Sequence, residues 1–116
     1  MDVYHCFIDL KPGASDLAFA DNLTTFLDGL KADGKIAGWR LMRRKLGLAP
    51  RELGEFHIAI EVEGLAQLDA AFALVSRRDG AVEARHFSVN SMVEKATFAL
   101  YRDFPDPHRQ RGEEKF

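Results

Sequence analysis

The segment Gly38–Val62, GWRLMRRKLGLAPRELGEFHIAIEV, constrains the fold more than any other. Its second half alternates with period two. Phe56, Ile58, Ile60 and Val62 form one apolar face, and His57, Ala59, Glu61 and Glu63 take the other. Successive strand residues point to opposite sides, so Glu55–Glu63 reads as a strand with one face in a core. The first half, Ile36–Leu46, also reads as a strand but alternates poorly. Both of its faces carry apolar residues at one end and cations at the other, among them Arg40, Arg43, Arg44 and Lys45. A sheet with one dry and one wet face separates the two kinds more cleanly, so the second face is expected to be covered as well, by another subunit. The connection Gly47–Gly54 is longer than a tight turn, and loops of this kind often carry function.

A chain of 116 residues holds one domain. With 47% apolar and 29% charged residues it has a globular composition, although a core of this size is thin and gains from burial in an oligomer. The net charge of −2 argues against a general nucleic-acid-binding surface, because the cations at residues 40–45 are a local cluster. Cys6 is the one cysteine, which rules out an intrachain disulfide and fits a reducing compartment. MDVYHCFIDL lacks the basic start and long apolar run of a signal peptide, and no segment has the apolar length of a membrane span. The expectation is a cytoplasmic protein that engages neither nucleic acid nor membrane.

Before the hairpin, Val3–Leu10 reads as a strand closed by Pro12 and Gly13. Ser15 then offers a helix N-cap, and Phe19, Leu23, Phe26, Leu27 and Leu30 recur at helical spacing up to Gly34, a stop signal. After the hairpin, Leu65–Arg78 reads as a helix with Leu65, Leu68, Phe72 and Val75 on its buried stripe. Asp79-Gly80 breaks it. Period two is poor across Ala81–Val93, where Val82, His86, Val89 and Val93 fit a second, short helix better. Glu94–Phe104 is the last strand, ended by Pro105 and Pro107. Residues 1–104 thus form the domain. The polar tail 105–116 is expected to pack on its own domain or on a partner subunit.

The pattern β-α-β-β-α-(α)-β is the split βαβ, ferredoxin-like arrangement of the α+β class, with a four-stranded antiparallel sheet in spatial order 4-1-3-2 and helices on one face. The opposite face carries Phe7, Ala59, Ala99 and Tyr101, and closing it against a second copy makes a homodimer. In architecture the chain resembles the dimeric α+β barrel superfamily, which includes antibiotic-biosynthesis-type monooxygenases and shares the extra short helix. In sequence it resembles a bacterial family of short uncharacterised proteins. The similar segments are DLKPG at Asp9–Gly13, RRKLG at Arg43–Gly47, LGEF at Leu53–Phe56, VNS at Val89–Ser91 and ALYRDFPD at Ala99–Asp106. The resemblance implies a fold and a dimer and brings no catalytic residues with it.

Three groups of residues are candidates for chemistry. The first rests on a register that sets His5 opposite Glu61, Phe7 opposite Ala59 and Asp9 opposite His57. His5, Asp9, His57 and Glu61 would then form two carboxylate–imidazole pairs, the arrangement of a general base; the alternative is polar contacts at a dimer seam. The second is the cluster Arg40, Arg43, Arg44 and Lys45 beside the loop, with Arg43 and Arg44 as its binding residues; guanidinium forks suit an anionic ligand, against local pairing with Glu55, Glu61 or Glu63. The third is Trp39, His86, Asn90 and Tyr101. In the superfamily the chain resembles, ligands are often held between helices and sheet, and His86 and Asn90 are one helical turn apart. The alternative there is polar groups satisfied within the core. No histidine pair has short metal-motif spacing, so neither a metal nor a cofactor is expected. The functional expectation is a homodimer binding a small organic ligand, an organic anion included. A cofactor-independent oxygenase or isomerase and a structural or regulatory interaction module are the alternatives.

Overall fold

The structure is a computed structural model that describes residues 1–108. The elements follow in the order β1 (Asp2–Leu10), α1 (Asp16–Ala32), β2 (Gly38–Arg43), β3 (Phe56–Val62), α2 (Leu65–Ser76), α3 (Gly80–Asn90) and β4 (Val93–Arg102). The four strands form one antiparallel sheet in the order β2-β3-β1-β4, as the sequence pattern predicts. The fold is α+β and ferredoxin-like. The segment that periodicity left closest between helix and strand, Ala81–Val93, is helical as far as Asn90. Of the tail, residues 109–116 lie outside the described residues.

Local chemistry accounts for the ends of α1. The Ser15 hydroxyl accepts a hydrogen bond from the Ala18 N–H at 3.1 Å, and Asp16 stands in the first turn where the helix dipole favours a negative charge. Gly34, at φ 71°, turns the chain out of the helix in a conformation that a side chain resists. Phe19, Leu23, Phe26, Leu27 and Leu30 are all buried. They meet the even-numbered faces of β1 and β3, where Cys6, Ile8, Phe56, Ile58 and Val62 are buried too. Full burial of a side chain such as Phe19 or Leu27 contributes about 1.5–3 kcal/mol each.

The stripe on α2 differs from expectation. Leu68 and Ala71 are its buried residues, whereas Leu65 and Phe72 are half exposed. Phe72 makes an edge-on contact with Tyr4 of the sheet, with ring centroids 5.3 Å apart. Tyr4 in turn stacks on Phe98 of β4 at 5.7 Å.

Candidate functional site

The register of β1 on β3 corrects the first expectation. Val3 faces Glu61, His5 faces Ala59 and Phe7 faces His57, two residues away from the pairing that would join His5 to Glu61 and Asp9 to His57. The two carboxylate–imidazole pairs therefore do not form. A slip of two residues keeps every side chain on its own face, so hydrophobic alternation permits both registers equally. Specific contacts choose between them. Asp9 Oδ1 accepts the Glu55 N–H at 2.9 Å, and Gly54 passes so close over the Ile8 backbone that a Cβ there would lie 2.5 Å from the Ile8 carbonyl.

In the observed register the two imidazoles meet each other. His5 Nδ1 and His57 Nε2 are 2.8 Å apart and share a hydrogen bond. Phe7 stacks on His57 at 4.5 Å, and Tyr101 stands edge-on to His5 at 5.2 Å. Burial, then the neighbouring His5 and Arg40, holds the His57 imidazole below its ordinary value. Glu61 shares this face but sits beside Val3 and Gly38, away from the pair.

Beside the loop, the two arginines already have partners. Arg43 donates to Glu55 Oε1 at 2.9 Å and to Asp16 Oδ2 at 3.2 Å, and its guanidinium lies over the Phe56 ring at 5.1 Å. Arg44 donates to the carbonyls of Pro50, Leu53 and Gly54 and so pins the loop from within. An anion there would have to compete with two carboxylates and a set of carbonyls.

The residues of the third group are dispersed. Trp39 faces the helices and donates its indole N–H to Asp28 at 2.8 Å. Asn90 is exposed at the end of α3, and Tyr101 is on the opposite face of the sheet, 67% exposed. His86 alone reaches the space between helices and sheet, where it forms part of the wall of a cavity of about 290 Å³. The rest of the wall is Tyr4, Cys6, Phe26, Leu27, Leu30, Ile36, Ile60, Leu68, Ala71, Phe72, Val75 and Phe98. Burial pushes both the Tyr4 hydroxyl and the Cys6 thiol up to about 12, so both stay protonated at neutral pH.

Two features escaped the sequence reading. Glu83, three residues before His86, places Oε2 3.5 Å from His86 Nδ1; both atoms are buried and neither has a hydrogen-bond partner. The i,i+3 spacing was the available signal. Asp2 is buried and receives Arg102 Nε at 2.7 Å and Nη2 at 3.1 Å, closing the β1–β4 edge. Among the described residues no three His, Cys, Asp or Glu cluster as a metal site requires, and no helix is long and apolar enough to cross a membrane.

The sequence pattern of DUF6614, a family of unknown function, matches residues 1–116. The chain belongs to this family. No significant match is found among curated proteins. The DUF6614 chain is similar in fold to the Arabidopsis thaliana protein At3g17210, at a TM-score of 0.67 and 11% identity over 89% of this chain and 95% of that one. A dimeric ferredoxin-like protein of unknown function from Jannaschia sp. CCS1 superposes at 0.64, with 10% identity over 89% of this chain and 100% of its own. An antibiotic biosynthesis monooxygenase superposes at 0.61, with 15% identity over 90% and 100%. At these identities the likeness shows the fold alone, and it is the fold that the sequence pattern implies.

Proposed function

We propose that this DUF6614 protein is a homodimer closed through the uncovered sheet face, and that each subunit holds a small, uncharged, mainly apolar organic molecule between its helices and its sheet. The observation that carries this reading is the cavity of about 290 Å³ walled by Phe26, Leu30, Ile60, Phe72, Phe98 and their neighbours, with His86 among them. Its size is at the lower end of the few hundred Å³ typical of small-molecule sites, and its wall is largely apolar with few polar groups, as such sites are. An anionic ligand fits poorly. Arg43 and Arg44 are outside the cavity wall and engaged with Asp16, Glu55 and the loop carbonyls, and charge is costly in an apolar space.

Self-association is supported by the aromatic residues Phe7 and Tyr101 on the face that the helices leave uncovered, Tyr101 largely exposed, and by related folds described as dimeric. The enzyme alternative, an isomerase or a cofactor-independent oxygenase, is favoured by one observation, the Glu83–His86 contact at the cavity wall.

Fluorescence titration with 2-naphthol tests the cavity. Saturable binding is expected, and Ala71→Met, which fills part of the space, should weaken it at least several-fold. Binding that Ala71→Met leaves untouched would refute the site. Sedimentation equilibrium tests the dimer, with twice the 13.0 kDa chain mass expected for wild type and the chain mass for Phe7→Glu. A monomeric wild type at micromolar concentration would remove the dimer.

A further inference from the structure

Buried side-chain atoms without hydrogen bonds are uncommon in folded proteins, and each calls for a physical reason. Here two of them face each other. Glu83 Oε2 and His86 Nδ1 are 3.5 Å apart, buried and unbonded, on the helix that walls the cavity. Each is costly to leave unmade, and the ring is further fixed by its tilted contact with Phe26 at 5.5 Å. Hydrogen bonds that work in a reaction are often long before the substrate arrives and tighten once it is bound.

We propose that Glu83 and His86 form a proton-abstracting dyad, and that the molecule held in the cavity is an uncharged carbonyl compound with a weakly acidic C–H, which the protein isomerises by a proton shift. This rests on the ligand-binding reading of the cavity and names its substrate class. The Glu83 carboxylate keeps the imidazole proton on Nδ1, leaving Nε2 as the acceptor toward the cavity occupant. His86 Nε2 takes the proton from the carbon next to the carbonyl. The electron pair of that C–H bond stays on the substrate as an enolate. The imidazolium then returns the proton to another atom of the enolate system, so atoms and charge balance without an oxidant or a second substrate. His86 is the catalytic residue and Glu83 the positioning residue. The other titratable groups in the wall, Tyr4 and Cys6, are both held protonated by burial and do not compete as bases at neutral pH. Arg85, on the same helix, turns its guanidinium toward Gly29 of α1.

The test uses 5-nitrobenzisoxazole, an apolar probe whose ring opens when a base removes its one carbon-bound proton of the heterocycle. That proton goes to Nε2, the C–H electrons become part of a nitrile, and the N–O bond breaks to a coloured phenolate. Wild type should accelerate this opening roughly 10²-fold or more over buffer, the contribution typical of a positioned base. His86→Gln should return the rate to background. Glu83→Gln should lower kcat roughly 10-fold or more at unchanged KM and alter the pH profile, with Glu83→Asp restoring part of the rate. The wild-type rate should depend on pH, a readout that stands even where a variant folds poorly. Binding of 2-naphthol without a His86-dependent rate, or with a pH-independent one, overturns the dyad and leaves the cavity reading intact. Failure of both 2-naphthol and the probe to bind overturns both.

Discussion

His5 and His57 reach each other across the two central strands, with Nδ1 of one 2.8 Å from Nε2 of the other. One shared proton satisfies this pair. Protonating both rings would remove the acceptor and set two cations side by side near Arg40, whose charge also acts on His57. The His57 imidazole is held below its ordinary 6.5 in the folded chain, so above that pH it is neutral in both folded and unfolded states. As pH falls below 6.5 the unfolded chain takes up the proton first, and stability is lost until the lower folded value is passed. Thermal melts of wild type should therefore be flat above about pH 6.5 and decline below it in the mildly acidic range. His57→Gln should remove most of that slope while leaving the melt at pH 8 nearly unchanged. An undiminished slope in the variant would assign it to other groups.

Gly54 and Gly29 should respond oppositely to alanine. A Cβ at Gly54 would lie 2.5 Å from both the carbonyl carbon and the oxygen of Ile8, backbone atoms in the middle of the sheet. Gly54→Ala must move the loop end or β1, and a cost of about 3 kcal/mol or more is expected in urea unfolding. At Gly29 the nearest atom to an added Cβ is Arg85 Nη1, the far end of a flexible side chain that can swing away. There the helix-propensity gain of about 1 kcal/mol should leave Gly29→Ala neutral or stabilised.

Gly54 also shows why part of this site could not be read from the sequence. Element types and strand order follow from periodicity: the clean alternation of Phe56 to Val62 and the helical recurrence of Phe19 to Leu30 each admit one interpretation. Register does not follow, because a two-residue slip keeps His5, Phe7, His57 and Glu61 on the same face and changes only who meets whom. The deciding contacts, Gly54 over the Ile8 backbone and the Asp9 carboxylate on the Glu55 amide, are made to the backbone, and no hydropathy pattern encodes them. Leu65 and Phe72 illustrate a second limit. Their spacing marks them as apolar stripe residues, but whether the chain itself covers them depends on where α2 sits on the sheet. Glu83 was open to view at three residues from His86, yet a carboxylate on a helix reads first as solvated.

The β1–β4 edge should be sensitive to acid. Arg102 grips the buried Asp2 carboxylate with two nitrogens and also holds Asp106 at 3.0 Å. The hydrogen bond from Arg102 keeps the Asp2 carboxyl below its ordinary 3.8, so the stability it confers is complete above that pH and is lost as pH falls through the folded value. Arg102→Met strands Asp2 in a buried position, which costs more than removing the exposed side of the network. Melting at pH 7 should therefore fall clearly more for Arg102→Met than for Asp106→Ala. The acid unfolding of Arg102→Met should begin at higher pH than that of wild type. Equal losses in the two variants would mean that Asp2 is not the partner that matters.

Cys6 should be nearly inert while the chain is folded. It is 8% exposed in the middle of β1 and its thiol is raised to about 12 by burial alone. Only the thiolate attacks a disulfide reagent, and at pH 8 a thiol of that acidity is about one part in ten thousand ionised. Exposed thiols react through a far larger thiolate fraction, so reaction with Ellman's reagent should be slower than for the urea-unfolded chain by at least about a thousandfold. Because Cys6 also walls the cavity, saturation with 2-naphthol should slow any residual reaction further by covering the sulfur and stabilising the native state. A thiol that reacts rapidly in the native protein, at a rate that 2-naphthol does not change, would mean that β1 opens to solvent easily and that the cavity floor is not the packed surface described above.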